Sequence, residues 1–304
     1  MKTMITGSSG LVGSALIEYL FKKGHSIECL KRNYGGNSHN FWATDMLSKR
    51  TDRSFQNIIH LAGANVTHAR WTPKRKRQIL LSRVEGTRRL VDYIYTLREK
   101  PNTFMCASAT GYYGNRGDEI LNEDSTLGNG FLADVCHQWE QETHRLTTLG
   151  VRVVNLRFGM ILSPRGGALQ KMIPLYRSRL GGIIGRGNQH ISWISSRDLS
   201  QIVEFIINND HIKGPVNIVS PIQTTNRELT RALGKSLGRL TPVRIPGVMV
   251  KLLFGQLADE VLLSSTRVTP KVLLESGYKF SDQSLDAVLR NCINSPKAQP
   301  AICL

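Results

Sequence analysis

Closely spaced cysteines are missing from this chain: Cys29, Cys106, Cys136, Cys292 and Cys303 are scattered, with no CxxC pair and no metal-ligand spacing. Such a scatter offers no metal-ligand set, so no metal is expected, and the thiols read as reduced, in a cytoplasmic protein. Long apolar runs are missing too. Nothing approaches the roughly 20 residues needed to cross a bilayer, and the apolar opening at Met4 and Ile5 is too short for a signal peptide, so no membrane partner is expected. Internal repeats and low-complexity tracts are absent, which excludes solenoids. Acidic residues are in short supply, 23 against 40 Lys and Arg, for a formal net charge of +17. A basic excess suits nucleic acid, a membrane surface or a phosphate-bearing ligand. Its densest stretch, RWTPKRKR at 70–77, leads into a helix that also carries Arg83, Arg88 and Arg89. That run reads as a solvated helix face, and charge alone does not make the chain a nucleic-acid binder.

What is present is concentrated at the start. MKTMITGSSGLVG is a short apolar strand followed by a glycine turn, with Gly7, Gly10 and Gly13 spaced GxxGxxG. Gly7 permits the tight turn, Gly10 lets backbone amides approach a pyrophosphate, and Gly13 allows close packing of the helix whose N-terminus faces the anion. Leu11, Val12, Ala15, Leu16, Tyr19 and Leu20 follow at helical spacing up to Gly24, which places the turn between a strand and a helix. The pattern points to a dinucleotide on Thr6, Gly7, Ser8, Ser9, Gly10, Leu11, Val12 and Gly13.

Strands are expected at 26–30, 57–62, 103–107 and 151–156, with helices at 74–97 and 132–149 between them. This alternation predicts an α/β fold, a doubly wound parallel sheet whose ligands gather at the C-terminal strand ends. The loops after Ala62, Ser108 and Arg157 should line the site. Beyond residue 160 glycines multiply. A strand at 191–194, a helix from Ser196 and a strand at 216–219 are expected to return to the first domain, and Asn226 to cap a further helix. The expected division is a Rossmann-type nucleotide domain over 1–165 with 191–221 returning to it. A smaller, partly interleaved substrate-binding region takes 166–190 and 222–292, and 293–304 form a frayed tail.

Several segments together resemble the extended short-chain dehydrogenase/reductase superfamily, within it the epimerase-like group related to nucleoside-diphosphate-sugar epimerases. They are HLAGANV at 60–66, SATGYYG at 108–114, WE at 139–140, LRFGMIL at 156–162, GGAL at 166–169, SWIS at 192–195, RDL at 197–199 and GPVNIVSP at 214–221. The resemblance implies a nicotinamide cofactor. Lys31 and Arg32 stand after the second strand, where NAD-binding members commonly place a carboxylate, and two cations favour a 2′-phosphate and hence NADP(H). Asp45 resembles the acid that accepts from the adenine amino group. Leu61, Ala62 and Gly63 should pass beneath the adenosine and its phosphates, with Ser108 and Arg157 at the nicotinamide end.

The catalytic positions depart from the superfamily. Its oxidoreductases use a tyrosine and a lysine four residues later on one helix, with a serine or threonine at the preceding strand end. Counting back from Glu140 places these positions at Phe131 and Val135, and the serine position at Ala109. No tyrosine or lysine lies between Gly114 and Val151. Tyr113, Tyr112, Ser108 and Thr110 are the nearest groups that could move a proton, with Tyr113 equally readable as a packing aromatic; Cys136 and His137 are weaker candidates. Lys171, Arg177, Arg179, Arg186 and His190 read either as the lining of an anionic small-molecule site or as solvated loop residues. The expected function is an NADP(H)-dependent reductase of a carbonyl or enone, with a non-catalytic redox sensor or scaffold, and then a nucleotide-sugar epimerase, as alternatives. Helices 74–97 and 132–149 leave monomer and homodimer equally open.

Overall fold

The computed structural model describes residues 1–30, 53–67 and 69–295. Lys31, Arg32, Asp45 and the tail beyond 295 lie outside the described residues.

The chain opens β1 (Lys2–Thr6), α1 (Leu11–Lys22), β2 (Ser26–Leu30), β3 (Asn57–His60), α2 (Pro73–Thr96) and β4 (Thr103–Ala109). A 3-10 turn (Thr110–Tyr113), β5 (Ile120–Leu121), α3 (Phe131–His144) and a second 3-10 turn (Arg145–Leu149) precede β6 (Arg152–Phe158). The helix expected over 132–149 thus ends as an α-helix at His144 and tightens into a 3-10 turn, which Gly150 closes with φ 73°. Strands β10 (Gly214–Ile218), β6, β4, β3, β1 and β2 lie side by side in one six-stranded sheet, and every pair is parallel. The chain leaves β1 for β2 on one side and crosses to β3 on the other, so the topological switch point falls between β1 and β3.

The strands alternate with helices because their residues are apolar on both faces: β3 is buried throughout, and so is β4 up to Ser108. One face packs Leu90, Val91, Ile94, Phe104 and Trp139 beneath α2 and α3. The other packs Leu16, Leu20, Ile202, Val203 and Ile206, from α1 and from α5 (Ser196–Asn208), on Ile5, Ile59, Met105 and Val154.

The remaining elements are interleaved with this sheet. β7 (Met160–Leu162) pairs with β9 (Trp193–Ser195) in a separate two-stranded sheet, so the strand expected at 191–194 does not join the six-stranded one. With α4 (Gly167–Arg177), α6 (Asn226–Ser236) and α9 (Leu285–Asn294) they enclose a second core around Leu169, Ile173, Trp193, Leu233 and Leu289. Thr225, not Asn226, caps α6, through a reciprocal capping box with Glu228. Short pairs β8 (Ile183–Ile184) with β11 (Arg244–Ile245), and β5 with β12 (Arg267–Val268), tie the C-terminal third back. α7 (Gly247–Phe254) and α8 (Lys271–Glu275) complete the order.

Candidate functional site

The glycine turn builds a cradle at the switch point. Gly7 has φ +71°, and a Cβ there would stand 2.8 Å from the Leu61 carbonyl carbon, so the turn lies directly on the chain leaving β3. A Cβ on Gly13 would stand 2.3 Å from the Gly7 oxygen, which holds α1 hard against the turn. Gly10 caps α1 with no side chain bonded to the first turn. The amides of that first turn have no partner within the helix and are left to bind an anion from outside the chain. Ser9 and Gly10 are exposed beside them and Ser8 is buried. The cradle therefore fits a pyrophosphate.

Thr6 serves differently. Its hydroxyl lies 2.6 Å from His60 Nδ1 and accepts from the Leu61 amide, and His60 Nε2 lies 3.0 Å from the Thr87 hydroxyl, which also accepts from Trp139 Nε1. This buried polar chain fastens β1, β3, α2 and α3 together. Burial pushes the His60 imidazole down to a pKa of about 3, so it stays neutral.

A second chain runs through the sites expected at the nicotinamide end. Ser108 donates to Glu140 at 2.6 Å, and Glu140 accepts from Arg157 Nε at 2.9 Å and Nη2 at 2.8 Å. Arg157 Nη1 donates to the Tyr113 hydroxyl, which donates in turn to Asn217 Oδ1 at 2.7 Å. The Asn217 amide reaches the buried carboxylate of Glu123, which also accepts from the Lys271 and Val272 amides. Burial works against the charge on Arg157, and the Glu140 carboxylate outweighs it and raises the pKa.

These contacts show where two of the expected site residues stand. Arg157, taken from the sequence as a cofactor contact, is 3% exposed with its guanidinium spent on Glu140 and Tyr113 and its face 3.5 Å from the centre of the Tyr112 ring. Tyr113 is completely buried between Arg157 and Asn217, and burial pushes its hydroxyl up to about 12. Ser108 is buried at the end of β4, while Thr110 and Tyr112 are half-buried on the turn that follows.

The positions without tyrosine and lysine are filled by packing. Phe131 meets Trp71 edge-on, with ring centres 5.2 Å apart, and both join Ile79, Val135 and Leu257 in an apolar cluster. Trp71 is buried and donates to the Val66 carbonyl, so it offers no face to a nucleic-acid base. Glu260, from far along the chain, accepts the Phe131 and Leu132 amides and caps α3. Cys136 is a buried free thiol, pushed up to about 11, and His137 is half-buried; Cys29 is disulfide-bonded, which corrects the expectation that every thiol is reduced.

Of the basic residues after Gly166, Lys171 reaches the loop after β3, donating to Thr67 at 3.1 Å. Arg177, Arg179 and Arg186 are exposed, and His190 faces Asp118. Gly166 and Gly167 lie against Leu11, where a Cβ on Gly167 would come within 2.9 Å. The GGAL turn thus closes over the start of α1. Asp198 is buried and accepts the Ser281 and Asp282 amides, pinning the C-terminal segment. Among the described residues no cluster could hold a metal, and no helix is long and apolar enough to cross a membrane.

Sequence reasoning missed Glu123 and Glu260, whose partners come from distant segments, and misplaced Arg83. Arg83 follows Ile79 by four residues and is half-buried on α2, and its guanidinium stacks 5.0 Å from the Trp139 ring centre. The signal was a cation at helical spacing within an apolar stripe.

Comparison with known proteins agrees with this geometry. The profile of the NAD-dependent epimerase/dehydratase family matches residues 3–219, and a domain of unknown function matches 245–292. An epimerase family protein of Mycobacterium bovis is 35% identical over 295 residues, covering 96% of this chain and 97% of its own. One from Staphylococcus aureus is 33% identical over 299 residues, covering 96% and 98%. A human epimerase family protein crystallised with NADPH superposes with a TM-score of 0.89 at 30% identity, covering 97% of this chain and all of that one. A UDP-glucuronic acid 4-epimerase of Bacillus cereus shares the fold at 17% identity, with a TM-score of 0.75 over 95% and 97% of the two chains. The chain belongs to the NAD-dependent epimerase/dehydratase family, in the epimerase-like group of the extended short-chain dehydrogenases/reductases.

Proposed function

We propose that the protein binds NADP(H) and reduces an enone or other activated carbonyl without the tyrosine–lysine pair of its superfamily. The observation that carries this reading is the conjunction of an open pyrophosphate cradle at Gly7, Gly10 and Gly13 with an apolar cluster at Phe131 and Val135. The preference for NADP(H) is supported by Lys31 and Arg32 in the sequence and by the human relative crystallised with NADPH.

Bound NADPH would supply a hydride. The first turn of α1 would hold its pyrophosphate, and Leu61, Ala62 and Gly63 would pass beneath its adenosine half. Removing the proton of an alcohol, as epimerisation of a sugar requires, needs a positioned base, and Phe131 and Val135 provide none. Hydride addition to the β-carbon of an enone leaves an enolate whose negative charge is delocalised onto oxygen, and that anion takes its proton from water. The demand on the chain is then chiefly orientation. Thr110 and Tyr112, half-buried on the turn that follows β4, are the candidate hydroxyls for the reacting end.

Calorimetric titration of the nucleotide-stripped protein with NADPH and with NADH, followed by NADPH oxidation against a panel of enones and aldehydes, tests the proposal. Preferential NADPH binding and acceptor-dependent oxidation are expected. Binding without turnover on any acceptor would favour a nucleotide-dependent sensor, to which the filled catalytic positions also point. Failure to bind either nucleotide would overturn both readings.

A further inference from the structure

Arg83 lies against the loop that leaves β3. A Cβ on Gly63 would stand 3.2 Å from its guanidinium carbon. Nη1 donates to the Ala64 carbonyl at 3.0 Å and to the Ile79 carbonyl at 3.2 Å, with the Ser82 hydroxyl at 3.5 Å. Among the described residues, Nε and Nη2 have no hydrogen-bond partner, and no carboxylate forms an ion pair with the group. The Trp139 ring stacks on it, and the titratable groups that bear on it are Cys136, Arg75 and Cys106. Burial lowers its pKa. Arg83 is half-buried and its Nε and Nη2 are not sealed in the core, so this edge is open to a ligand.

The fold says which ligand would pass there. The pyrophosphate cradle is at β1, and the cations Lys31 and Arg32 follow β2, so the adenosine half extends to that side. The nicotinamide half would then run from the N-terminus of α1 towards β4, leaving the phosphates that lie over Leu61, Ala62 and Gly63 and passing Ala64, whose carbonyl Arg83 holds. Arg157, at the far end of that path, is neutralised by Glu140.

We infer that Arg83 is a cofactor-binding residue, its free Nε–Nη2 edge taking the nicotinamide ribose and the phosphate attached to it, so that a cation from α2 stands in for the lysine missing at Val135 of α3. This inference rests on the NADP(H) reading. An arginine presents two parallel donors on that edge, which suits a phosphate oxygen with a neighbouring ribose hydroxyl.

The test compares two probes. NADPH carries both halves of the cofactor, whereas adenosine 2′,5′-bisphosphate carries the adenosine half alone. Arg83→Met is expected to weaken NADPH binding at least tenfold and to change bisphosphate binding less than twofold. Equal weakening of both would make Arg83 a mere clamp on the loop through Ala64, and unchanged NADPH binding would leave it no role; either result overturns the inference. Should Arg83→Met fail to fold, Arg83→Lys against Arg83→Gln repeats the comparison, with NADPH affinity expected to follow the charge and the inference lost if it does not. A wild-type protein that binds neither probe would refute the NADP(H) reading itself. One that binds both equally tightly would refute only the role of Arg83.

Discussion

Replacing Glu140 by Gln tests whether the ion pair at the centre of the site is as structural as its contacts indicate. Glu140 and Arg157 are 13% and 3% exposed, and two nitrogens of the guanidinium meet the carboxylate within 2.9 Å. The substitution keeps the shape and one acceptor oxygen but turns an amide N–H₂ towards Arg157 and leaves the guanidinium charged. Breaking one side of a buried pair in this way costs about 3–5 kcal/mol, a large fraction of the stability of a typical domain. Arg157→Met should cost a similar amount, since it strands the carboxylate and takes a donor from Tyr113. In the double variant no unpaired charge remains, so the combined cost should fall short of the sum by about 2–3 kcal/mol. Urea unfolding of the four proteins at neutral pH gives the cycle directly, provided the slope of free energy against urea stays constant. A cost below about 1 kcal/mol for Glu140→Gln, or additive single costs, would show that solvent screens the pair and would refute the reasoning.

Two other perturbations test separate parts of the structure. Gly13→Ala places a methyl group 2.3 Å from the Gly7 oxygen, a rigid backbone contact; it should cost about 1–3 kcal/mol in overpacking and weaken NADPH at least tenfold in a calorimetric titration, whereas unaltered affinity would disprove the role of that close approach. His60 has a folded pKa of about 3 against an ordinary value of 6.5, so below about 6.5 the unfolded chain binds a proton that the folded one refuses. Its contribution to stability therefore falls as pH drops towards 3, by about 1.4 kcal/mol per pH unit. The difference in unfolding free energy between wild type and His60→Gln should carry that slope, and a difference independent of pH would place the imidazole in contact with water.

The parts of this molecule that were legible in its sequence are those written in local spacing. The turn at Gly7, Gly10 and Gly13 is confined to a strand end and the helix after it, and the closest contacts it makes are with the turn itself and with Leu61. The order of buried strands followed from their short apolar runs, and Phe131 and Val135 could be placed by counting along one helix. Where a side chain points from an irregular turn is not coded by spacing. Tyr113 stood on such a turn, and its neighbour Tyr112 is half-buried while it is sealed against Asn217. The contacts least accessible to sequence are those that join distant segments: Glu260 reaches α3 across 129 positions, and Glu123 reaches Lys271 across 148. Arg83 lies between these cases. It was grouped with Arg88 and Arg89 as part of a charged face, yet Arg88 and Arg89 pair with Glu142 and Glu85 at the surface, while Arg83, half-buried one helical turn after Ile79, packs on Trp139 and bonds the Ala64 carbonyl. The helical period separates them. A basic helix should therefore be read by face before its charge is counted, because a cation packed on a ring and bonded to a backbone carbonyl is not part of the solvated charge.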